Sequence, residues 1–322
     1  MSRRDHKPVR SLLLAGDEYG STFDSAIASG ADALFLDLED PYVPCVDAFL
    51  DQQRAEMREF IEALPATGAP RPFVRVHKFD TGRTLGDLRA VMVPGLAGVI
   101  LPHVGSPADV IGLDAILECM ERDLGLSVGS TLIIPILEVA SGLSSARQIA
   151  EASERVNYMG PHLGPLGDTP NSLKYRMTAS GDVVAPLMSH VLIEVRAGGV
   201  PYPLGMCLTL DYARSEADMR AGMNRLRDWG YCGTMVWDAD HVAMAHEIFS
   251  PSAEDIERWS RIIELYDAAL QAGEPVRLPG YLTMGGAPEG AADSGLVRPH
   301  IITTARQGLE YARALGLVDD RR

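Results

Sequence analysis

Eight short runs rich in Leu, Ile, Val, Met and Phe recur along the 322 residues, separated by segments of helix length. They fall at residues 12–16, 33–39, 72–77, 98–103, 132–139, 156–160, 204–209 and 232–237. Most are apolar almost without interruption, as in parallel strands buried on both faces. Between them, residues 109–123, 144–153, 183–197 and 216–229 carry apolar side chains at three- and four-residue spacing, which predicts amphipathic helices. Ser106 before Pro107, and the run Ser215-Glu216-Ala217-Asp218, supply helix caps and first-turn acids. Eight βα units in about 250 residues predict a (β/α)8 TIM barrel. A doubly wound open sheet shares the alternation, but no G-x-G-x-x-G follows the first strand.

The barrel is expected over residues 1–252, with a C-terminal part over 253–322. That part reads as a final barrel helix at 253–272, a Gly/Pro-rich stretch at 278–290 and a last helix at 303–315. Such a tail is too short to fold alone, which predicts a lid or an oligomerisation arm packed on a neighbouring subunit.

Hydrophobic residues make up 46% of the chain and charged ones 23%, enough apolar surface for a full core. The 44 acidic against 29 basic side chains leave a net charge of −15, which repels nucleic-acid phosphates and anionic lipid. Neither nucleic acid nor a membrane is therefore expected as a partner. No apolar run approaches the ~18 residues of a membrane span. Residues 1–10 lack the apolar core of a signal peptide. Cys45, Cys119, Cys207 and Cys232 form no C-x-x-C pair and read as small buried hydrophobes in a reducing, cytoplasmic setting.

In a TIM barrel, chemistry collects where strands end. Those ends carry Asp17, then Asp37, Glu39 and Asp40, then Arg75 and His77, then His103. Strand five ends at Glu138, strand six at His162, strand seven at Thr209 and Asp211, and strand eight at Trp237-Asp238. Burying such groups unpaired costs several kcal/mol each, so a whole ring of them points to a site. The bland alternative is local: Asp37 caps its turn and pairs with Arg75. Glu138, directly after Leu132-Ile133-Ile134-Pro135-Ile136-Leu137, offers a hard oxygen suited to Mg²⁺. Arg75 offers a planar fork for a carboxylate or enolate oxygen.

Several segments carry a family likeness. They are Arg10-Ser11-Leu12-Leu13-Leu14, Leu36-Asp37-Leu38-Glu39-Asp40, Val74-Arg75-Val76-His77, and Gly98-Val99-Ile100-Leu101-Pro102. Ile136-Leu137-Glu138-Val139, residues 149–161, Gly230-Tyr231-Cys232-Gly233 and residues 245–252 continue it. In this order they resemble the citrate lyase β-subunit-like branch of the HpcH/HpaI aldolase family, which includes malyl-CoA lyases. The resemblance implies a Mg²⁺-dependent carbon–carbon lyase working through an enolate, often of a CoA thioester. The substrate would be a small 2-hydroxy or 3-hydroxy acid or its acyl-CoA. By that likeness Glu138 is the metal glutamate and Arg75 the substrate arginine, while Glu39 and Asp40 belong to the acidic cluster that organises metal waters and arginines. Catalytic candidates are Arg75, Asp40 and Glu39; substrate candidates are Arg10, Arg75, His77, His103 and Asp37; metal candidates are Glu138, Asp168 and His162. The base remains open among Asp40, Asp293 and a water on the metal. Family members are commonly trimers or hexamers, so a homo-oligomer is expected.

The chain also departs from the pattern. Where the family has G-P/A-x-D, it reads Gly160-Pro161-His162-Leu163, which puts Leu163 at the metal aspartate. Asp168 replaces that aspartate only if its loop folds back. His77 and His103 stand where the family has asparagine and lysine, and the strand-eight G-K-x-x-I-H-P becomes Gly233-Thr234-Met235-Val236-Trp237-Asp238-Ala239. Two alternatives follow. One is a His-rich site of His77, His103, Glu138 and His162 holding Mn²⁺ or another divalent transition metal for hydrolysis or a different lyase reaction. The other is a non-catalytic binding subunit.

Overall fold

All eight apolar runs form strands of one closed parallel barrel in the computed structural model, in the order β1 to β8 with β8 returning to β1. The structure describes residues 3, 6–16, 20–39, 46–65, 67–164, 167–178, 181–205, 215–278 and 295–319. The strands are β1 (Ser11–Ala15), β2 (Ala33–Asp37), β3 (Arg71–Arg75), β4 (Gly98–Leu101), β5 (Leu132–Leu137), β6 (Tyr158–Pro161), β7 (Tyr202–Gly205) and β8 (Gly233–Val236). The chain divides into two compact units, Met1–Phe249 and Ser250–Arg322.

Around the barrel run α1 (Phe23–Ala28), α2 (Asp47–Ala63), α3 (Thr84–Val91), α4 (Pro107–Leu124), α5 (Ala140–Ser144), α6 (Ala146–Glu151), α7 (Asp168–Leu173), α8 (Ala185–Ala197), α9 (Glu216–Trp229) and α10 (Val242–Phe249). The helix start signals act as read: Ser106 and Asp109 close a capping box on α4, and Ser215 accepts the Asp218 N–H at the head of α9. The single helix expected at 144–153 is instead two short ones, α5 and α6, broken at Ser145.

Side chains alternate along each strand. Leu13, Leu34, Leu36, Val74, Val99 and Ile133 join the shell packed under the helices. Their neighbours Leu12, Phe35, Phe73, Ile100 and Ile134 fill the barrel interior, which explains why both faces had to be apolar. At its N-terminal end the interior is closed by Tyr158, edge-on to Phe73 at 5.9 Å and stacked on Tyr202 at 6.0 Å. The methionines Met177, Met188, Met219, Met223, Met235 and Met244 are buried filler. Cys119, expected inside, is exposed on α4, and Cys232 is half-buried against Arg196. Cys45 and Cys207 lie outside the described residues.

In the second unit, α11 (Ala253–Ala272) packs with α12 (Pro299–Ala314) around Ile262, Ile302 and Ala305. Backbone pairs of β9 (Arg277–Leu278) with β10 (Gly295–Leu296) join them. Residues 253–272, read as the last barrel helix, thus belong to this unit, and α10 follows β8 within the barrel unit. No described helix is long and apolar enough to cross a membrane.

Candidate active site

The C-terminal end of the barrel gathers acids and cations from five neighbouring strands. Asp37 closes β2 and, in register, faces Arg75 at the end of β3. Arg75 Nε donates to Asp37 Oδ1 at 2.8 Å, Nη2 donates to Asp37 Oδ2, and Nη1 reaches Glu39 Oε2 at 2.9 Å. Its guanidinium also lies over the Phe35 ring, 5.3 Å from the centroid. Burial alone would lower the Arg75 pKa, but Asp37, Glu39 and Glu138 outweigh it and hold the cation. Asp37 in addition accepts the Glu39 N–H at 3.0 Å, so it does cap its turn and pair with Arg75. Both local roles hold the arginine in place without removing it from the mouth. Three of the five N–H groups of Arg75 are engaged by these acids, and two have no partner among the described residues.

Glu138 follows β5 and is 1% exposed. Its Oε1 accepts the His103 backbone N–H at 2.7 Å, and His162 Nδ1 stands 3.1 Å from Oε2. An ionised carboxylate only accepts, so His162 carries its proton on Nδ1. Burial pushes the Glu138 pKa up, but His162 and His103 prevail and hold it below the ordinary carboxylate value. His103 has φ +50, one of two described non-glycine residues in the left-handed region. Such backbone strain clusters at functional loops. The strained turn aims the His103 amide at Glu138 and sets its ring 3.4 Å from Glu39 Oε1 and 3.6 Å from Asp168 Oδ2. The hydrogen bond to Glu39 raises its pKa to about 9 against the opposing effect of burial, with Glu138 and Asp168 adding to the rise. Gly142 lets α5 approach this turn: a Cβ there would fall 2.0 Å from the Val104 carbonyl oxygen.

The loop after β6 does fold back. Asp168, first residue of α7, brings a carboxylate oxygen to the group formed by His103 and Glu138, with one ligand atom from each within 4.8 Å of the others. Two hard carboxylate oxygens suit Mg²⁺, and an imidazole beside them is also acceptable to Mn²⁺. Among the described residues the carboxylates of Asp37, Glu39, Glu138 and Asp168 outnumber Arg75, His103 and His162, an acidic excess that suits a bound cation. Leu163 is fully buried in the helix-facing shell. The mouth-facing residue beyond Gly160 is His162, which bonds to Glu138 but lies outside the three-residue group.

Two expected site residues are not brought into this cluster. Arg10 precedes β1 and is locked to Asp32, which precedes β2, by Nε–Oδ2 and Nη2–Oδ1 contacts of 2.9 and 2.8 Å. It therefore sits at the N-terminal end of the barrel, opposite the mouth. His77 is fully buried, its backbone N–H and Nδ1 both on Asp87 Oδ2 at 2.8 and 2.9 Å. Asp87 in turn holds Arg54, so this histidine ties β3 to α2 and α3. Among the described residues the group able to hold a cation is His103, Glu138 and Asp168, without His77. Asp17, Asp40, Asp211 and Asp293 lie outside the described residues. Thr169, which the sequence reading passed over, is fully buried beside the cluster; a threonine in a polar loop gives no signal of its own.

The profile of the HpcH/HpaI aldolase/citrate lyase family matches residues 10–239, the span from the first strand to just past the eighth. The chain belongs to this family. Within it, the L-malyl-CoA/beta-methylmalyl-CoA lyase of Cereibacter sphaeroides (strain ATCC 17029 / ATH 2.4.9) is 28% identical over 295 residues, covering 83% of this chain and 87% of that one. Citrate lyase subunit beta of Escherichia coli (strain K12) is 24% identical over 279 residues, covering 85% and 87%. Among solved structures, CitE from Mycobacterium tuberculosis in complex with magnesium, acetoacetate and coenzyme A superimposes with a TM-score of 0.65 at 22% identity, covering 96% of this chain and 99% of that one. That likeness carries the fold.

Proposed function

We propose that this family member is a Mg²⁺-dependent carbon–carbon lyase that cleaves a small 3-hydroxy acid, presented as its CoA thioester, through an enolate. The carrying observation is the convergence of Glu138 and Asp168 within reach of one cation, beside an arginine held by Asp37 and Glu39. Glu138 and Asp168 would hold the metal, with His162 and the His103 amide orienting Glu138. When bound, Mg²⁺ supplies a Lewis acid that polarises substrate oxygens.

The chain's own part is positioning and charge stabilisation. In cleavage, a base removes the hydroxyl proton, the hydroxyl-bearing carbon becomes a carbonyl, and the C–C bond to the neighbouring α-carbon breaks. Its electron pair passes to the thioester as an enolate, and protonation at carbon then gives the shorter acyl-CoA beside a 2-oxo acid. The two uncommitted N–H groups of Arg75 favour the developing oxyanion, and they are already fixed by Asp37 and Glu39 before substrate arrives. His103 replaces a lysine with another cation at the mouth. The base is one of Asp40, Asp293 and water. Mn²⁺ is the second reading, which requires His103 to give up its ring proton and join the two carboxylates as a donor. We place the protein in the cytoplasm as a homo-oligomer, with residues 253–322 as the lid or oligomerisation arm.

The test is incubation with malyl-CoA and Mg²⁺ or Mn²⁺, following release of a 2-oxo acid. Metal-dependent turnover that chelation abolishes supports the reading. Tight acyl-CoA binding with no turnover under either metal would favour a non-catalytic subunit instead.

A further inference from the structure

The second carboxylate of the candidate metal group stands on α7, a helix of six residues that begins at Asp168 itself. So short a helix has little stability of its own. Its position must come from tertiary anchors. Among the described residues two hydrogen bonds tie it to the chain leaving β5. The Thr169 hydroxyl lies between two carbonyl oxygens, Glu138 O at 3.1 Å and His162 O. Ser172 Oγ accepts the Ala140 N–H at 2.9 Å.

Thr169 is the stronger of the two. It is fully buried, whereas the Ser172 bond is exposed to water. It is next in sequence to Asp168, and the carbonyls it meets belong to Glu138 and His162. One hydroxyl, with a single proton to give to either carbonyl, therefore sits at the junction of the backbone of the first carboxylate, the backbone of the imidazole that orients it, and the helix carrying the second carboxylate. We infer that Thr169 is a positioning residue whose hydroxyl sets the Glu138–Asp168 pair at cation-binding separation. This rests on the metal reading above but makes a separate claim, that one neutral hydroxyl governs the geometry of the charged pair.

The test compares wild type, Thr169→Val, which keeps the shape and removes the hydroxyl, and Thr169→Ser, which restores it. Mn²⁺ affinity is read by electron paramagnetic resonance, and amide hydrogen exchange is read over residues 168–173. Thr169→Val is expected to bind Mn²⁺ about 10-fold more weakly or worse, and its α7 amides should exchange faster. Thr169→Ser should stay close to wild type in both. Wild-type affinity and exchange in Thr169→Val overturn the inference. So does a weakening in Thr169→Ser as large as in Thr169→Val, because a site that keeps its hydroxyl would then fare no better than one that lacks it. If the wild type takes up no Mn²⁺, the metal reading fails separately. Exchange then decides alone, with equal rates in wild type and Thr169→Val overturning the anchor.

Discussion

The two ends of the barrel use the same residue types to opposite effect. At the N-terminal end buried ion pairs lock neighbouring elements together. Arg10 grips Asp32 with two side-chain N–H groups, and Arg155 grips the fully buried Glu121 through contacts of 2.7 and 2.8 Å. Glu121 also accepts the Gly129 and Thr131 N–H groups, which clamps the end of α4 to the start of β5. At the C-terminal end four described carboxylates face one arginine and two histidines, and the strained His103 stands among them. Charge that is locally matched holds the fold; charge left in acidic excess at a strained turn marks a site. Burial does not separate the two ends, because Glu121 and Glu138 are equally hidden.

The largest effect should come from breaking the matched end. Glu121→Gln leaves Arg155 with Asp114 as its one carboxylate and turns a Glu121 oxygen that accepts from Arg155 and a backbone N–H into an NH2 donor, and breaking a buried pair typically costs about 3–5 kcal/mol. Urea denaturation should show that loss while Mn²⁺ affinity of the folded protein stays within about twofold, since distant sites are close to additive. Loss of metal binding in step with stability would erase the distinction between the ends.

Next in size is Arg75→Gln at the mouth. Removing a preorganised donor to a developing oxyanion lowers turnover by about 10²–10³-fold. Steady-state kinetics on the thioester substrate should show that fall, while the urea midpoint moves less than in Glu121→Gln. Unchanged turnover would move Arg75 to the structural side of the comparison.

The smallest effect is a pH signature. Glu39 raises the His103 pKa to about 9 from an ordinary 6.5. The stability this pair contributes is therefore fully present below pH 6.5 and is lost as pH rises through about 9. Glu39→Gln should bring the His103 titration, followed by NMR of the ring, back toward 6.5 and flatten that alkaline decline. A titration still near 9 would show that other acids set it.

The barrel was legible because its periodicity is enforced eight times over by burial on both faces, and register then places Asp37 beside Arg75 without further information. Glu138 was legible for a related reason, as a lone acid closing a wholly apolar strand. Arg10 and His77 misled because strand-end position says nothing of which end an arginine faces or whether a histidine finds a buried acid, here Asp32 and Asp87. The return of Asp168 depends on the path of the loop after β6 and on Thr169, contacts among residues whose types are common in any loop. The His103 strain was hidden for the same reason: histidine tolerates the left-handed region but does not announce it.

We propose above that the acidic excess at the mouth is a divalent-cation site organised by Glu138. Isothermal titration of Mg²⁺ into wild type and Glu138→Gln tests it directly. The account predicts one site per chain in the wild type, weakened by more than about 100-fold in the variant with little change in melting temperature. Equal Mg²⁺ affinity in the two proteins, or no binding to the wild type, would contradict it.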